Sequence, residues 1–177
     1  LINSDVPDHE KIALGFKAEA EKLGITVNIR KLPWISIVDV VSRIESTPIL
    51  VCISVASDYN EAGAMLMSRY NSKSVGTWHQ TEWLQDKEID EMIEDALSTI
   101  DRSERFAKYR KIQEILVNDI VPSIWFVDRL KRCAYNSSYV YWPIAESTKV
   151  QINVSIVYLV YEFYYKDFKV YPEKKKK

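Results

Sequence analysis

Glycine, cysteine, histidine and long apolar runs are all scarce in this sequence, and each scarcity removes a class of function. Four glycines in 177 residues, none of them clustered, leave no loop able to cradle a phosphate at a helix start. The two cysteines, Cys52 and Cys133, have no CxxC spacing and no neighbouring histidine pair, which excludes zinc-ribbon and thioredoxin-like chemistry. Each fits either a small buried apolar side chain in a strand or one half of a disulfide. His9 and His79 stand far apart with no His-Glu-x-x-His pair, and no Gly-x-Ser-x-Gly elbow occurs. Asp58 and Glu61 are close enough to act as an acid/base pair, but nothing in the sequence raises the pKa of either. The expectation is a protein that is not an enzyme and needs no cofactor or metal. No run reaches the roughly 18 consecutive apolar residues of a membrane span. The nearest, 152–165, is broken by Ser155 and Glu162. Lys plus Arg number 24 against 25 Asp plus Glu, a balance that gives no pull toward nucleic acid or an anionic bilayer.

What the sequence does contain is the alternation of an α/β protein. Ile12, Phe16, Ala20 and Leu23 recur at helical spacing after Pro7-Asp8, and Gly24 is a natural stop. Ile25 to Ile29 alternates apolar and polar residues, which predicts a half-buried strand ended by Pro33. Ser36 is a candidate cap for a second helix with Ile37, Val40, Val41 and Ile44 on one face. The continuous apolar run Ile49-Leu50-Val51-Cys52-Ile53 predicts a central strand covered on both faces of a mainly parallel sheet. Ile89, Met92, Ile93, Ala96, Leu97 and Ile100 form the clearest helical stripe. Asp101-x-x-Glu104 then offers a capping box for a helix whose inner face is Phe106, Tyr109, Gln113 and Leu116, with Pro122 as its breaker. Beyond it, Ile124 to Val127 and Cys133 to Tyr135 read as strand, and 150–171 is an aromatic, β-prone segment suited to a terminal hairpin or edge strand. Lys174 to Lys177 make a solvated tail.

Three stretches together resemble one known family. A helix followed by Leu23-Gly24-Ile25-Thr26-Val27 and then Leu32-Pro33-Trp34 is one of them. Ser57-Asp58-Tyr59-Asn60-Glu61, an acidic turn directly after an apolar strand, is the second. Glu88-Ile89-Asp90-Glu91-Met92-Ile93 with Ala96, Asp101, Arg105, Tyr109, Gln113, Leu116, Asp119 and Pro122 is the third and strongest. In this order they are similar to the second lobe of the extracellular solute-binding proteins of ABC importers, the oligopeptide-, dipeptide- and nickel-binding group called family 5. The likeness runs from about Ile12 to Trp142. Where family members commonly carry Gly-Trp before the acidic turn, this chain has Ser54-Val55, which removes a ring that would flank a bound side chain. Where a proline often follows the acid pair, it has Ala62.

The resemblance implies a periplasmic-binding-protein-like α/β lobe of type II, a mainly parallel sheet with helices on both faces. The implied division is a ligand-binding lobe over 1–143, a crossover over 144–171 that returns to a first lobe outside this chain, and a tail over 172–177. It also implies an extracellular or periplasmic fragment, membrane-anchored through that missing N-terminal part, with an importer permease as partner. In the peptide-binding branch the aspartate of the turn receives the ligand's α-ammonium group, a role that falls here on Asp58, with Ala56, Ser57, Tyr59 and Asn60 around it. A charge-assisted hydrogen bond in a closed cleft is stronger than one in water and selects for a cation. Ser57 or Asp58 also stands where a cap for the pattern Ala62, Met65, Leu66, Arg69 belongs. Trp78, in the irregular stretch before Trp83, and Trp34 are the aromatic candidates for ligand contact. Two other readings stay open: an oligosaccharide-binding member of the same family, and a non-transport interaction domain that self-associates through 150–171.

Overall fold

The computed structural model describes residues 1–57, 61–127, 134–141 and 169–174. They fall into two compact units, Leu1–Val55 with Ala62–Ser123, and the described residues of Ala56–Glu61 with Ile124–Lys177. Cys133 and most of the segment 150–171 lie outside the described residues.

In the first unit, the N-terminal strand β1 (Ile2–Asn3) pairs in parallel with β2 (Lys31–Leu32), and Ile2 also bridges in parallel to Cys52 on its other side. The ladder is short but regular, with Ile2 N–H donating to the Arg30 carbonyl and Cys52 N–H to that of Leu1, each at 2.9 Å. Ile2, rather than the 49–53 run, is therefore the buried centre of this pairing. The expectation of a covered strand over 49–53 is corrected: Ile49 is fully exposed at 102% and Leu50 is exposed too, so the run supplies one bridge residue only. The strand expected over 25–29 is likewise displaced. Residues 25–29 form no ladder, and pairing begins at Lys31, just before Pro33 removes the next backbone donor.

Helix α1 (Pro7–Lys22) starts on a proline whose missing N–H would have been unsatisfied there anyway. It ends where Gly24 adopts a left-handed φ of 75°, as its position in the sequence predicts. Helix α2 (Trp34–Val41) begins three residues earlier than a Ser36 cap would allow. Pro33 is its N-cap, and the Ser36 N–H is already bonded back to the Pro33 carbonyl at 3.0 Å. Ile37, Val40 and Val41 face inward as expected, whereas Ile44 lies beyond the helix and is exposed. Both α1 and α2 pack against β1.

The main core is helical. Helices α3 (Ala62–Tyr70), α4 (Lys87–Ser98) and α5 (Arg102–Ile115) bury Leu66, Tyr70, Ile89, Ile93, Ala96, Tyr109 and Ile112 against one another, joined by Leu116 just past α5. Burying each of the larger apolar side chains stabilises the unit by about 1.5–3 kcal/mol before entropy is counted. The N-cap read from the sequence at Asp101 is made, and Asp86 caps α4 as well. The Asp86 carboxylate accepts from the N–H groups of Glu88 and Ile89, and that of Asp101 from Glu104 N–H at 2.8 Å. Arg105 closes the other end of α4 by donating to the Thr99 and Ile100 carbonyls, each at 2.9 Å. Gln113 is exposed and Ile112 is the buried residue of that turn, so the inner face of α5 is rotated by one position there. Leu97 and Phe106 sit at the edge of the core, and Ile100 lies past the helix, exposed.

After α5 the chain widens into a π turn over Leu116–Ile120, with Val121 N–H reaching the Leu116 carbonyl at 2.9 Å. Val121 then takes a left-handed φ of 49°. Pro122 disfavours the right-handed helical region for the residue before it, which ends the helix here.

In the second unit Ile124, Trp125, Phe126 and Val127 are exposed and form no strand among the described residues, contrary to the sequence expectation. Ala134 and Tyr135 are not in a strand either. Among the described residues of this unit, β3 (Val140–Tyr141) and β4 (Lys169–Val170) pair in antiparallel register.

Candidate functional site

Sixteen residues between α3 and α4, 71–86, form a loop stitched shut from inside. Asn71 accepts at its Oδ1 from Lys73 N–H at 3.0 Å, capping a single 3-10 turn over Ser72–Ser74. Gly76 supplies a φ of 78° that a side chain would resist. Gln80 is fully buried, and its amide nitrogen donates to the carbonyls of Asn71 at 3.2 Å and Leu84 at 2.7 Å, drawing the two ends of the loop together. Ser72 N–H donates to the Asp90 carboxylate at 2.7 Å, fastening the loop to α4. Trp83 sits at a left-handed φ of 55°, with its indole N–H donating to Thr47 Oγ1 at 3.0 Å.

Two of the aromatic candidates meet on this loop. The rings of Trp34, the first residue of α2, and Trp78 stand edge to face, 5.1 Å between centroids and 76° between planes. The imidazole of His79 stacks on the other indole at 3.7 Å and 29°. The three rings thus form one aromatic corner, two of them edge to face and two stacked. Both tryptophans are half-buried.

Behind the aromatic corner lies a polar group that sequence reasoning missed. Arg69, in the last turn of α3, is buried and donates to the His79 carbonyl oxygen and to the Glu82 carboxylate. Glu82 also accepts from the Ser123 hydroxyl at 2.7 Å. The one signal in the sequence was that Arg69 continues the Leu66 face of α3. A charged residue at that position is by default assigned to solvent.

The acidic turn is a different matter. Asp58, Tyr59 and Asn60 lie outside the described residues. Of the others, Ala56 is exposed and Ser57 half-buried, with the Ser57 hydroxyl donating to the Glu61 carbonyl at 3.4 Å. Ala56 and Ser57 belong to the second unit, Trp34 and Trp78 to the first.

His9 is buried, and its Nε2 is 3.0 Å from Ser54 Oγ. Cys52 is half-buried, and burial pushes its thiol above the usual cysteine range, opposed by the nearby Leu1 ammonium. Among the described residues no three His, Cys, Asp or Glu side chains gather as a metal site, and no helix is long and apolar enough to cross a membrane.

No protein-family model matches the chain. Over 119 residues, 67% of its length, it is 24% identical to the "Probable D,D-dipeptide-binding periplasmic protein DdpA" of Escherichia coli strain K12. That stretch is 23% of the relative's length, so the chain spans under a quarter of the protein it matches. The chain is thus similar to part of a protein described as a probable dipeptide-binding periplasmic protein.

Proposed function

We propose that this chain is one lobe of an extracellular or periplasmic solute-binding protein of the peptide class, serving an ABC importer and completed by a first lobe outside the sequence. The observation that carries the reading is the 119-residue similarity to a dipeptide-binding periplasmic protein. The parallel pairing of Ile2 with segments on both sides, with α1 and α2 packed on β1, supports a periplasmic-binding-protein-like α/β scaffold of type II. In this reading Asp58 takes the ligand ammonium, its neighbours Ala56, Ser57, Tyr59 and Asn60 shape the turn, and Trp34 with Trp78 meets a ligand side chain. Closing two lobes about a hinge would exclude water from the cleft and strengthen the charge-assisted bond.

A second reading keeps the fold and changes the cargo to an oligosaccharide. The perpendicular Trp34 and Trp78 rings favour it, because an aromatic face also packs on the apolar face of a sugar.

A thermal-shift series tests both. Half a cleft should bind a free dipeptide weakly, with Kd of order 1 mM. At a tenfold excess over that Kd the ligand adds about 1.4 kcal/mol, or roughly 3–6 °C in Tm. Asp58→Asn should abolish the shift, and an N-acetylated dipeptide should give none. Equal shifts from acetylated and free peptides, or from wild type and Asp58→Asn, contradict the ammonium role. A shift from an oligosaccharide and none from peptides selects the second reading.

A further inference from the structure

The pair of Arg69 and Glu82 is too deeply placed to be explained as a stabilising salt bridge. Their side chains are 8% and 9% exposed. Stripping water from two charges offsets most of their attraction, so replacing such a pair by apolar groups is often neutral or stabilising. The best-attested return on a buried pair is selection of one arrangement over its competitors. Here the arrangement held is the backbone just after Trp78. Arg69 grips the His79 carbonyl and the Glu82 carboxylate, while Ser123, beyond the π turn that follows α5, holds the same carboxylate. Because the His79 ring lies flat on Trp78, fixing the His79 backbone aims both rings, and with them the edge that meets Trp34. Gln80 closes the mouth of the loop by joining Asn71 to Leu84, but its bonds leave the direction of residue 78 open.

We propose that Arg69 and Glu82 form a positioning latch that sets the orientation of the Trp34–Trp78 aromatic corner. The latch itself does not depend on what the corner binds; only its consequence for affinity rests on the reading of Trp34 and Trp78 as ligand contacts.

The test uses the whole chain carrying Arg69→Met together with Glu82→Leu, a swap that removes both charges and leaves neither stranded. Near-ultraviolet circular dichroism is read as the difference from Trp78→Phe, so that only the signal of that ring counts. Amide hydrogen exchange is followed across residues 76–83. The double variant should keep its far-ultraviolet helix signal and its Tm to within about 5 °C. It should lose more than half of the Trp78 difference signal, and the loop amides should exchange roughly tenfold faster or more while those of α4 do not change. Retention of the difference signal and of slow loop exchange overturns the latch. So does global loss of helix and Tm, which would make the pair a plain stabiliser. Peptide titration of the same variant separates the two readings: an intact affinity beside a loosened loop keeps the latch and removes the tryptophans from the binding site.

Discussion

Gly63, in the first turn of α3, is where packing and helix propensity oppose each other most directly. A Cβ there would lie 2.7 Å from Leu97 Cδ2 and 2.9 Å from Tyr109 Cζ, with the Tyr109 hydroxyl nearer still. Tyr109 is almost wholly buried in the helical core and has no open side to turn toward. Gly63→Ala gains at most about 1 kcal/mol of helix propensity, less in a first turn than in a helix interior. Overpacking of this kind costs about 1–3 kcal/mol. The overlap involves two side chains at once, so the clash should win, leaving a net loss of about 1–2 kcal/mol and a Tm lower by roughly 2–8 °C for a chain of this size. Urea unfolding monitored by far-ultraviolet circular dichroism measures it. Repeating the change in a Tyr109→Phe background removes the nearest clashing atom and should recover about 1 kcal/mol as a coupling term. An unchanged or raised Tm for Gly63→Ala would refute the close approach of α3 to α4 and α5, because propensity would then be the only force acting.

Other changes follow from the same core and its surface. Ile93→Ala, at a fully buried position, should destabilise by about 2–5 kcal/mol in a urea titration, the spread reflecting how far the cavity collapses. Asp101→Ala removes the acceptor for Glu104 N–H and should cost about 1 kcal/mol, with Asp101→Asn close to wild type by the same assay. The Lys73–Glu94 pair at 2.6 Å is exposed, and the Lys73 hydrogen bond holds the Glu94 carboxyl below its ordinary range. Whatever Glu94 adds is present at neutral pH and fades as the solution is acidified through the carboxylate range. In 1 M salt, Glu94→Gln should leave the urea midpoint where it was. Because burial raises the Cys52 thiol, a Cys133→Ser variant should be alkylated at pH 8 more slowly than free cysteine, and faster only once unfolded.

Helices α4 and α5 were legible because period and cap coincide: a stripe from Ile89 to Ala96 begins right after Asp86, and Tyr109 and Leu116 follow an Asp101 box. Helix α1 was legible through Pro7 and Gly24. The apolar run at 49–53 misled because hydrophobicity reports what should be covered, not which segment pairs with which. A ladder centred on Ile2 depends on contacts some 30 and 50 residues away that no local pattern encodes. Ile124 to Val127 misled in the same way. Trp34 and Trp78 are candidates from separate stretches of sequence, and no local pattern encodes that their rings meet. Arg69 and Glu82 stayed hidden because burial of a charge is decided by its partner, and the partner lies 13 positions on, beyond helical periodicity.

We propose that Asp58 in the acidic turn receives the ammonium group of a dipeptide. A titration of the isotope-labelled chain with a D,D-dipeptide, followed by two-dimensional amide and indole NMR, tests it most directly. Shifts at the amides of 56–61 and the indole N–H groups of Trp34 and Trp78, absent with the N-acetylated peptide and in Asp58→Asn, are the predicted result. Shifts confined to other residues, or the same shifts from the acetylated peptide, would contradict it.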